Sequence, residues 1–424
     1  MPRTYGTTHS SMAEFNRSRI VQILHTQGTR SRAQLARQLH LTPAAITKIT
    51  ANLIEANIIE ETGAIDGLMQ RRSIGLQLNN QAWHVIGIKI ARSSVTLAIF
   101  DVRGQIQHQH TIEHIHESDV QDICQTIKTA VFTMLQNDPS IKAIGIAVPG
   151  PYLRNEGRIA LATSVSGWQS INFKSEFAQS FPVPTLIEHD ARAGAVAQSL
   201  FGTFENLPDT SPSTHGSHTI KQANTNYLAY YLLGEGVGLG IISDGILLSG
   251  TLGTSTELGH VSIDVHGRPC ECGNYGCLET YCSAAAVHQT MMNHSSYFLK
   301  HYQVDPQTLT HEQAASWLIA HYPSDDSCIT DIMTSAYEAI AYGCVSIINA
   351  FNPSIIVLGD TLAQGGDALL STITHICKQR VLPELWQSTH IVTSHLHVDA
   401  TLLGAGAIAT QELLAHPSSV MQHP

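Results

Sequence analysis

Apolar residues recur at helical spacing near the start of the chain. Residues 12–27 (MAEFNRSRIVQILHTQ) predict a helix that turns Phe15, Ile20, Ile23 and Leu24 toward a core. Ser31-Arg32-Ala33-Gln34 reads as a capping box, with a hydroxyl at the N-cap and an amide three residues on. It opens a short helix carrying Leu35 and Leu39, and Leu41 follows within the turn. Thr42-Pro43 then restarts a helix with a hydroxyl cap and a proline at the first turn, where its missing N–H costs nothing. That helix places Ile46, Ile49 and Leu53 inward and Ala44, Thr47, Lys48 and Asn52 outward. The next stretch, IIEETGAIDGLMQRRSIGLQL, predicts a two-stranded wing with Gly63 and Gly67 at its turn. A helix, a short turn and a second capped helix that begins with small polar residues match helix-turn-helix geometry.

From residue 83 the periodicity changes. WHVIGIKIARSSVTLAIFD holds two β-rich runs around a turn, and IKAIGIAVPGP is a buried strand ending at Pro-Gly. VPTLIEHDARAGAVAQSLFG reads as a strand, a polar junction and an alanine-rich helix. NYLAYYLLGEGVGLGIISDGILLSG is a strand, a glycine-rich turn and another strand, SIINAFNPSIIVLGD a helix leading into a strand, and DATLLGAGAIATQELL a closing helix. Alternating strands and helices predict α/β layers. Residues 205–226 are polar and rich in Ser, Thr, Asn and His, and read as a loop.

Length and composition fit this picture: 424 residues, 43% hydrophobic and 13% charged, suit two or three globular domains. Neither a secretory leader nor an apolar run of membrane-spanning length is present, so a cytoplasmic protein without membrane insertion is expected. The net charge of −11 opposes nucleic-acid binding until it is divided along the chain. Residues 1–54 carry Arg3, Arg17, Arg19, Arg30, Arg32, Arg37 and Lys48 against the single acid Glu14. The basic head is therefore the candidate partner of double-stranded DNA. Thr42 and Lys48 suit phosphates, and Ala44 and Thr47 are small enough to approach base edges. Arg71 and Arg72 in the wing can reach the backbone or a minor groove, and Arg32 completes the candidate set. The competing reading is a plain three-helix docking module.

The most specific chemistry lies in ELGHVSIDVHGRPCECGNYGCLE, where His260, Cys270, Cys272 and Cys277 are spaced H-x9-C-x-C-x4-C. One imidazole and three thiolates suit a closed, structural Zn2+ site, with Gly273 and Gly276 letting the loop turn. The alternative is ordinary buried cysteines, which is the reading given to Cys282 and to the scattered Cys124, Cys328, Cys344 and Cys377. Metal is favoured because the cluster stands in a chain without secretory features. A metal here pins a loop bearing two carboxylates, Glu257 and Glu279. The chain's 24 histidines show no second ligand spacing, although His108, His110, His114 and His116 alternate as on one strand face.

The zinc stretch, the IEHD segment, the PGP turn and the N-terminal reader together resemble the ROK family of sugar kinases and repressors, over nearly the whole chain. Within the family the chain is most similar to the Mlc/NagC group, through ITKI in the reading helix, the tryptophan of QAWH, and CGNYGCLET. The resemblance implies an α/β fold: an N-terminal winged helix-turn-helix followed by a two-lobed, actin-like body with the sugar between the lobes. The implied domains are 1–82 for the reader, 83–194 for the first lobe (completed by a C-terminal helix at about 396–415), and 195–395 for the second lobe. That last lobe carries the zinc site and the expected oligomerisation surface. By position, Asp190 matches the catalytic base of the kinases. Glu257, His260 and Glu279 match their sugar-hydroxyl contacts.

Several positions depart from the kinase pattern. Lys89-Ile90-Ala91-Arg92-Ser93-Ser94 stands where kinases have an acid-bearing Gly-Gly-Thr phosphate loop. Glu235 replaces a threonine in the second phosphate loop, and Asp360 replaces a glycine near the expected adenine site. Ser164 and His189 replace asparagines near the sugar, and Met69-Gln70-Arg71-Arg72-Ser73 replaces a Gly-Arg-Pro linker of related repressors. The expected function is a non-enzymatic, sugar-responsive repressor of carbohydrate uptake or metabolism genes, binding its operator as a homodimer or homotetramer. Its signal is a sugar, a sugar phosphate or a phosphotransferase-system transporter domain. The alternatives are a sugar kinase with an attached DNA module, for which Asp190 speaks, and a zinc-stabilised scaffold that senses nothing.

Overall fold

A computed structural model describes residues 9–65, 73–91, 94–113, 119–160, 167–204 and 227–421. Its contacts gather the chain into two compact units. Unit 1 comprises Met1–Ile146, Phe173–Ile187 and Ala405–Pro424, and unit 2 comprises Ala147–Asn172 and Glu188–Gly404. The N-terminal segment shares a unit with the first large sheet. Residues 188–194, read from the sequence as the end of the first lobe, fall in unit 2.

Unit 1 opens with α1 (His9–Gln27), β1 (Arg30–Ser31), α2 (Arg32–Leu39), α3 (Pro43–Glu55), β2 (Ile59–Ile65) and β3 (Ser73–Leu78). Both expected caps form. Ser31 Oγ accepts from Gln34 N while the Gln34 side chain accepts from Ser31 N, and Thr42 Oγ1 accepts from Ala45 N. The strands make a small antiparallel sheet in the order β1-β3-β2. Ile20, Leu24, Leu35, Leu39, Ile46 and Leu53 are buried as expected. Phe15 is not: it is 57% exposed, with the Arg19 guanidinium 5.5 Å from its ring centroid. The buried stripe of α1 runs instead through Ser18, Val21 and His25, two of which are polar and disguise it. In α3 the inward place beside Ile46 goes to Thr50, whose hydroxyl donates to Ile46 O at 2.9 Å, and Ile49 is only half-buried. Gly63 sits inside β2, where the register shifts between Glu61 and Ala64, rather than at the turn. The turn itself, with Gly67, Arg71 and Arg72, lies outside the described residues.

The larger sheet of the first half is built from β4 (His84–Ile90), β5 (Ser94–Phe100), β6 (Ile106–Glu113) and β7 (Ile141–Val148). After a short hairpin of β8 (Tyr152–Leu153) and β9 (Arg158–Ile159), which belongs to unit 2, β10 (Thr185–His189) completes it in the order β10-β7-β4-β5-β6. Helix α4 (Val120–Asn137) buries Cys124, Ile127, Val131 and Met134. His108 and His110 are exposed on β6, and His114 and His116 lie outside the described residues.

The longer segment of unit 2 begins at the end of β10 and runs at once into α5 (Asp190–Phe201). Its sheet comprises β11 (Tyr227–Leu233), β12 (Val237–Ser243), β13 (Ile246–Leu247), β14 (Ile355–Gly359) and β15 (His390–Thr393), in the order β13-β12-β11-β14-β15. It is antiparallel from β13 to β11 and parallel from β11 to β15. Around it lie α6 (Glu279–Cys282), α7 (Ala284–Met292), α8 (Ser295–Tyr302), α9 (His311–Ala320), α10 (Ser327–Phe351), α11 (Gly366–Arg380) and α12 (Pro383–Ser388). Strand β11 is apolar throughout because it is covered on both faces. Ala229, Tyr231 and Leu233 share a core with Ile340, Cys344 and Ile347 of α10. On the other face Tyr230 meets α5, where a Cβ on Gly194 would come within 2.3 Å of the ring. Among the described residues no helix is long and apolar enough to cross a membrane.

Two further helices, α13 (Ala400–Ala415) and α14 (Ser418–Met421), close the chain. The later part of α13 lies directly on β7: a Cβ on Gly145 would stand 1.8 Å from Ala405 O, so only glycine permits the approach. Helix α1 is locked into the same unit at both ends. Ser18 Oγ donates to Leu414 O at 2.9 Å, and Glu14 Oε1 accepts from Ser418 N at 3.0 Å. At the other end His25 Nε2 donates to Val102 O at 3.1 Å, and Arg103 Nη1 donates to His25 O at 3.1 Å.

Burial pushes the His25 imidazole down to about 4, and the Arg103 charge acts in the same direction. The unfolded chain takes up a proton near the ordinary histidine value, whereas the folded chain refuses it. Stability is therefore full above about pH 6.5 and falls as pH drops toward 4, by up to about 3 kcal/mol. Urea unfolding followed across that range is expected to show this slope, and His25→Gln to flatten it.

Candidate ligand and metal site

The residues singled out in the second half converge within unit 2, supplied by the β10–α5 junction, the segment before His260, and the cysteine loop that ends in α6. At the junction Glu188 is buried and pairs with Arg192 one turn along α5, Nε to Oε1 at 3.0 Å; Arg154 pairs with the same carboxylate. Arg192 is completely buried. Its Nη1 donates to Gly253 O at 2.7 Å and Ser249 O at 3.2 Å, and its Nη2 to Ser249 Oγ at 3.0 Å. One guanidinium thus ties the first turn of α5 to the loop that delivers Glu257. Thr256, at a positive φ of 70°, is held by its hydroxyl donating to Leu239 O at 2.6 Å.

Asp190 is the first residue of α5, where a carboxylate meets the unpaired N–H groups of the helix end. Its Oδ1 accepts from Ala191 N at 2.5 Å and lies 3.0 Å from His189 Nε2. Glu279 opens α6, and its Oε2 accepts from Val237 N at 2.9 Å. That contact needs Gly236, because a Cβ there would come 2.7 Å from Glu279 Oε2. Burial pushes the Glu257 carboxyl above the ordinary carboxylate range; the positive influence of His189 and His260 opposes this, and the charge of Asp190 adds to it.

His260, Cys270, Cys272 and Cys277 come together as a group able to hold a metal ion, their ligand atoms all within 4.8 Å of one another. The three cysteines carry no disulfide. Cys272 and Cys277 Sγ stand 3.6 Å apart and Cys270 Sγ lies 3.7 Å from His260 Nδ1. These separations far exceed a disulfide bond. They match the edges of a tetrahedron, about 3.8 Å between two thiolates at ordinary metal–sulfur distance. The loop is pre-shaped by Cys270 N donating to Asn274 O at 2.9 Å and Gly273 N to Cys270 O at 2.9 Å. Gly276 is required twice over, by a φ of 67° and by Asp264 O, which would lie 1.7 Å from a Cβ. With His260 Nδ1 toward the thiols, its Nε2 is left on the opposite edge of the ring.

Of the candidate DNA contacts, Thr42, Ala44, Thr47 and Lys48 are exposed on and just before α3. Thr42 is spent as the N-cap, and the Thr47 hydroxyl donates to Pro43 O at 2.9 Å. Arg32 is tied within its own domain, Nε to Thr50 Oγ1 at 3.1 Å and Nη2 to Glu61 Oε1 at 2.7 Å. Arg92 and Ser164, like Arg71 and Arg72, lie outside the described residues, as does the 205–226 segment. Lys89 is half-buried in β4 opposite Thr96. Glu235 Oε1 lies 4.0 Å from His311 Nε2, and the Asp360 carboxylate sits 2.5 Å from where a Gly234 Cβ would be. Sequence reasoning overlooked Glu188 and Arg192; the available signal was an acid four residues ahead of an arginine across a helix start.

The fold and these sites define a known class. The sequence pattern of the ROK family matches residues 85–211 and 212–412, and the chain belongs to that family. It is 27% identical over 387 residues to a xylose repressor of Bacillus spizizenii, covering 91% of this chain and 92% of that protein. It is 25% identical over 400 residues to the DNA-binding transcriptional repressor Mlc of Escherichia coli, covering 93% and 92%. The crystal structure of a ROK family transcriptional regulator, a homologue of the E. coli Mlc protein, superposes with a TM-score of 0.76 at 24% identity, over 97% of this chain and 100% of that one. The two share a fold.

The raised Glu257 carboxyl has a measurable consequence. The folded state holds its proton more tightly than the unfolded chain, so its contribution to stability is greatest at low pH and declines as pH rises through the ordinary carboxylate value. Glu257→Gln is expected to melt at a higher temperature than the wild type at pH 7, with the difference vanishing near pH 4, as read by calorimetric melting curves.

Proposed function

We propose that this protein is a DNA-binding transcriptional repressor of carbohydrate uptake or metabolism genes, without catalytic activity of its own and working in the cytoplasm. The observation that carries the reading is the N-terminal arrangement of α2, a tight turn and a capped α3 beside a small antiparallel sheet. It has the order of a winged helix-turn-helix, with the start of α3 free to enter a major groove. That head is joined to a ROK body, and relatives of nearly full-length coverage are named as repressors. The protein binds its operator as a symmetric homodimer or homotetramer, the body biasing the readers when a signal binds. The signal is a sugar or sugar phosphate held by Asp190, Glu257, His260 and Glu279, or a phosphotransferase-system transporter domain.

The cluster of His260, Cys270, Cys272 and Cys277 is proposed to hold Zn2+ in a closed structural site. The fit of the donor set to a tetrahedron supports this. When bound, zinc supplies a fixed cross-link rather than an activated water. The chain's own part is to carry His260 and Glu279 on either side of that cross-link, so that their spacing is set before a ligand arrives.

The competing kinase reading rests on Asp190 at the start of α5. A coupled assay over hexoses separates the two: turnover above background, abolished by Asp190→Asn, would overturn the repressor reading. Operator retention by the purified protein tests it directly. Lys48→Ala is expected to weaken binding across all sequences and to lower the salt slope by about 1, whereas Thr47 substitutions alter sequence preference. Cys272→Ser is expected to lose bound zinc, measured by mass spectrometry of the purified protein, together with operator retention. A metal-free wild type with unchanged melting and DNA binding would refute the structural role.

A further inference from the structure

In the head, one guanidinium joins the three elements that a winged reader must hold in register. Arg32 is the first residue of α2. Its Nε donates to Thr50 Oγ1 of α3 at 3.1 Å, and its Nη2 to Glu61 Oε1 of β2 at 2.7 Å. Thr50 is fully buried and gives its hydroxyl proton to its own helix, at Ile46 O 2.9 Å away or Thr47 O 3.2 Å away. Toward Arg32 its oxygen therefore accepts. Strand β2 leaves α3 through residues 56–58, so the Arg32 fork braces the corner between the reading helix and the wing. Glu61 pairs with Leu76, and the wing's register shifts between Glu61 and Ala64. A bulge bends the strand that carries it. The brace thus grips the wing at the last regular pair before its bend, where a change of angle passes to everything beyond.

Folding stability does not account for this arrangement. The Arg32 and Glu61 side chains are 30% and 45% exposed, and ion pairs so open to water contribute little. Phosphate binding does not account for it either. The first helix of a helix-turn-helix crosses the DNA backbone, so a cation at its start is well placed for a phosphate. The charge of Arg32 is already matched by Glu61, however, and an approaching phosphate meets that carboxylate too. The residue type fits the bracing task. A planar fork with donors fixed in direction holds two acceptors on different elements, whereas an ammonium on a flexible stem sets no such angle.

We propose that Arg32 is a positioning residue for operator recognition: bound to Thr50 and Glu61, it sets the angle of the wing to the reading helix and makes no phosphate contact of its own. The proposal rests on the DNA-binding reading of the head, and it gives the acid Glu61 a part in binding a polyanion.

The test uses the full-length protein, a duplex that the wild type selects from a random-sequence library, and a scrambled duplex for comparison. Arg32→Ala is expected to weaken the selected duplex about tenfold, to leave the scrambled one within about twofold, and to keep the salt slope, because no phosphate contact is lost. Arg32→Lys restores the charge but not the fork, and is expected to behave like Arg32→Ala. Glu61→Gln is expected to weaken the selected duplex. Glu60→Gln removes the same charge from the neighbouring residue, which is held by Gln77 Nε2 at 2.6 Å, and is expected not to weaken it. Adding Glu61→Gln to Arg32→Ala is expected to cost nothing further, since the two act as one unit. Melting curves show that the variants are folded; if Arg32→Ala melts early, Arg32→Lys and Glu61→Gln carry the comparison. A salt slope lowered by about 1 in Arg32→Ala, with full rescue by Arg32→Lys, would make Arg32 a phosphate contact and overturn the proposal. Equal losses on both duplexes, or a Glu61→Gln variant that binds as tightly as Glu60→Gln, would overturn it as well, and in each case the DNA-binding reading stands. A wild type that selects no duplex would strike that reading, and the proposal with it.

Discussion

A positive charge with no access to water has to be met on every side, and Arg192 is such a charge. Its partners are the Glu188 carboxylate at the end of β10 and the backbone and hydroxyl oxygens of Ser249 and Gly253. Removing either member of a buried pair typically costs about 3–5 kcal/mol, because the other charge is stranded. The β10–α5 junction and the loop before Glu257 therefore form or fail together. His189 and Asp190 sit between Glu188 and Arg192, Asp190 two residues from each. The places of Asp190 and Glu257 thus depend on one buried charge.

Much of this was readable in the chain, and the reasons differ from element to element. The capping residues Ser31, Gln34 and Thr42 act through bonds spanning three residues, so local sequence contains all the physics they need. The cysteine cluster was legible for the same reason: three of its donors lie within eight residues, and the glycines between them report the turn. Strands β11 and β12 followed from uninterrupted apolar runs around a glycine turn. What escaped was tertiary. The buried face of α1 contains Ser18 and His25, whose partners are Leu414 and Val102, far away in sequence. Arg192 looked like a surface residue in an alanine-rich helix because its acceptors come from a loop some sixty residues on. Gly63 was placed at a turn because a bulge and a turn use the same residue for the same freedom.

The glycine-rich turn at 234–236 is a case where sequence and structure inform each other. From the sequence, Glu235 and Asp360 stood out as acids in places where a phosphate would be expected. In the structure the Asp360 carboxylate lies against Gly234, Glu279 accepts from Val237 N beside Gly236, and Glu235 lies near His311. The turn is ringed by the chain's own anions. A backbone amide already given to a carboxylate is not available to a polyphosphate. This favours a sensing role for the body over phosphoryl transfer, and it does so through local bonds rather than through family likeness.

The seating of α1 has a consequence for how the head searches DNA. Four hydrogen bonds, through Glu14, Ser18 and both the ring and the carbonyl of His25, fasten that helix to the C-terminal segment and to the turn after β5. The head is therefore no fly-casting module on a slack tether. It has little torsional play, so a paired assembly would behave like calipers with a preset gap, forfeiting reach but spending little orientational entropy when it closes on a correctly spaced pair of half-sites.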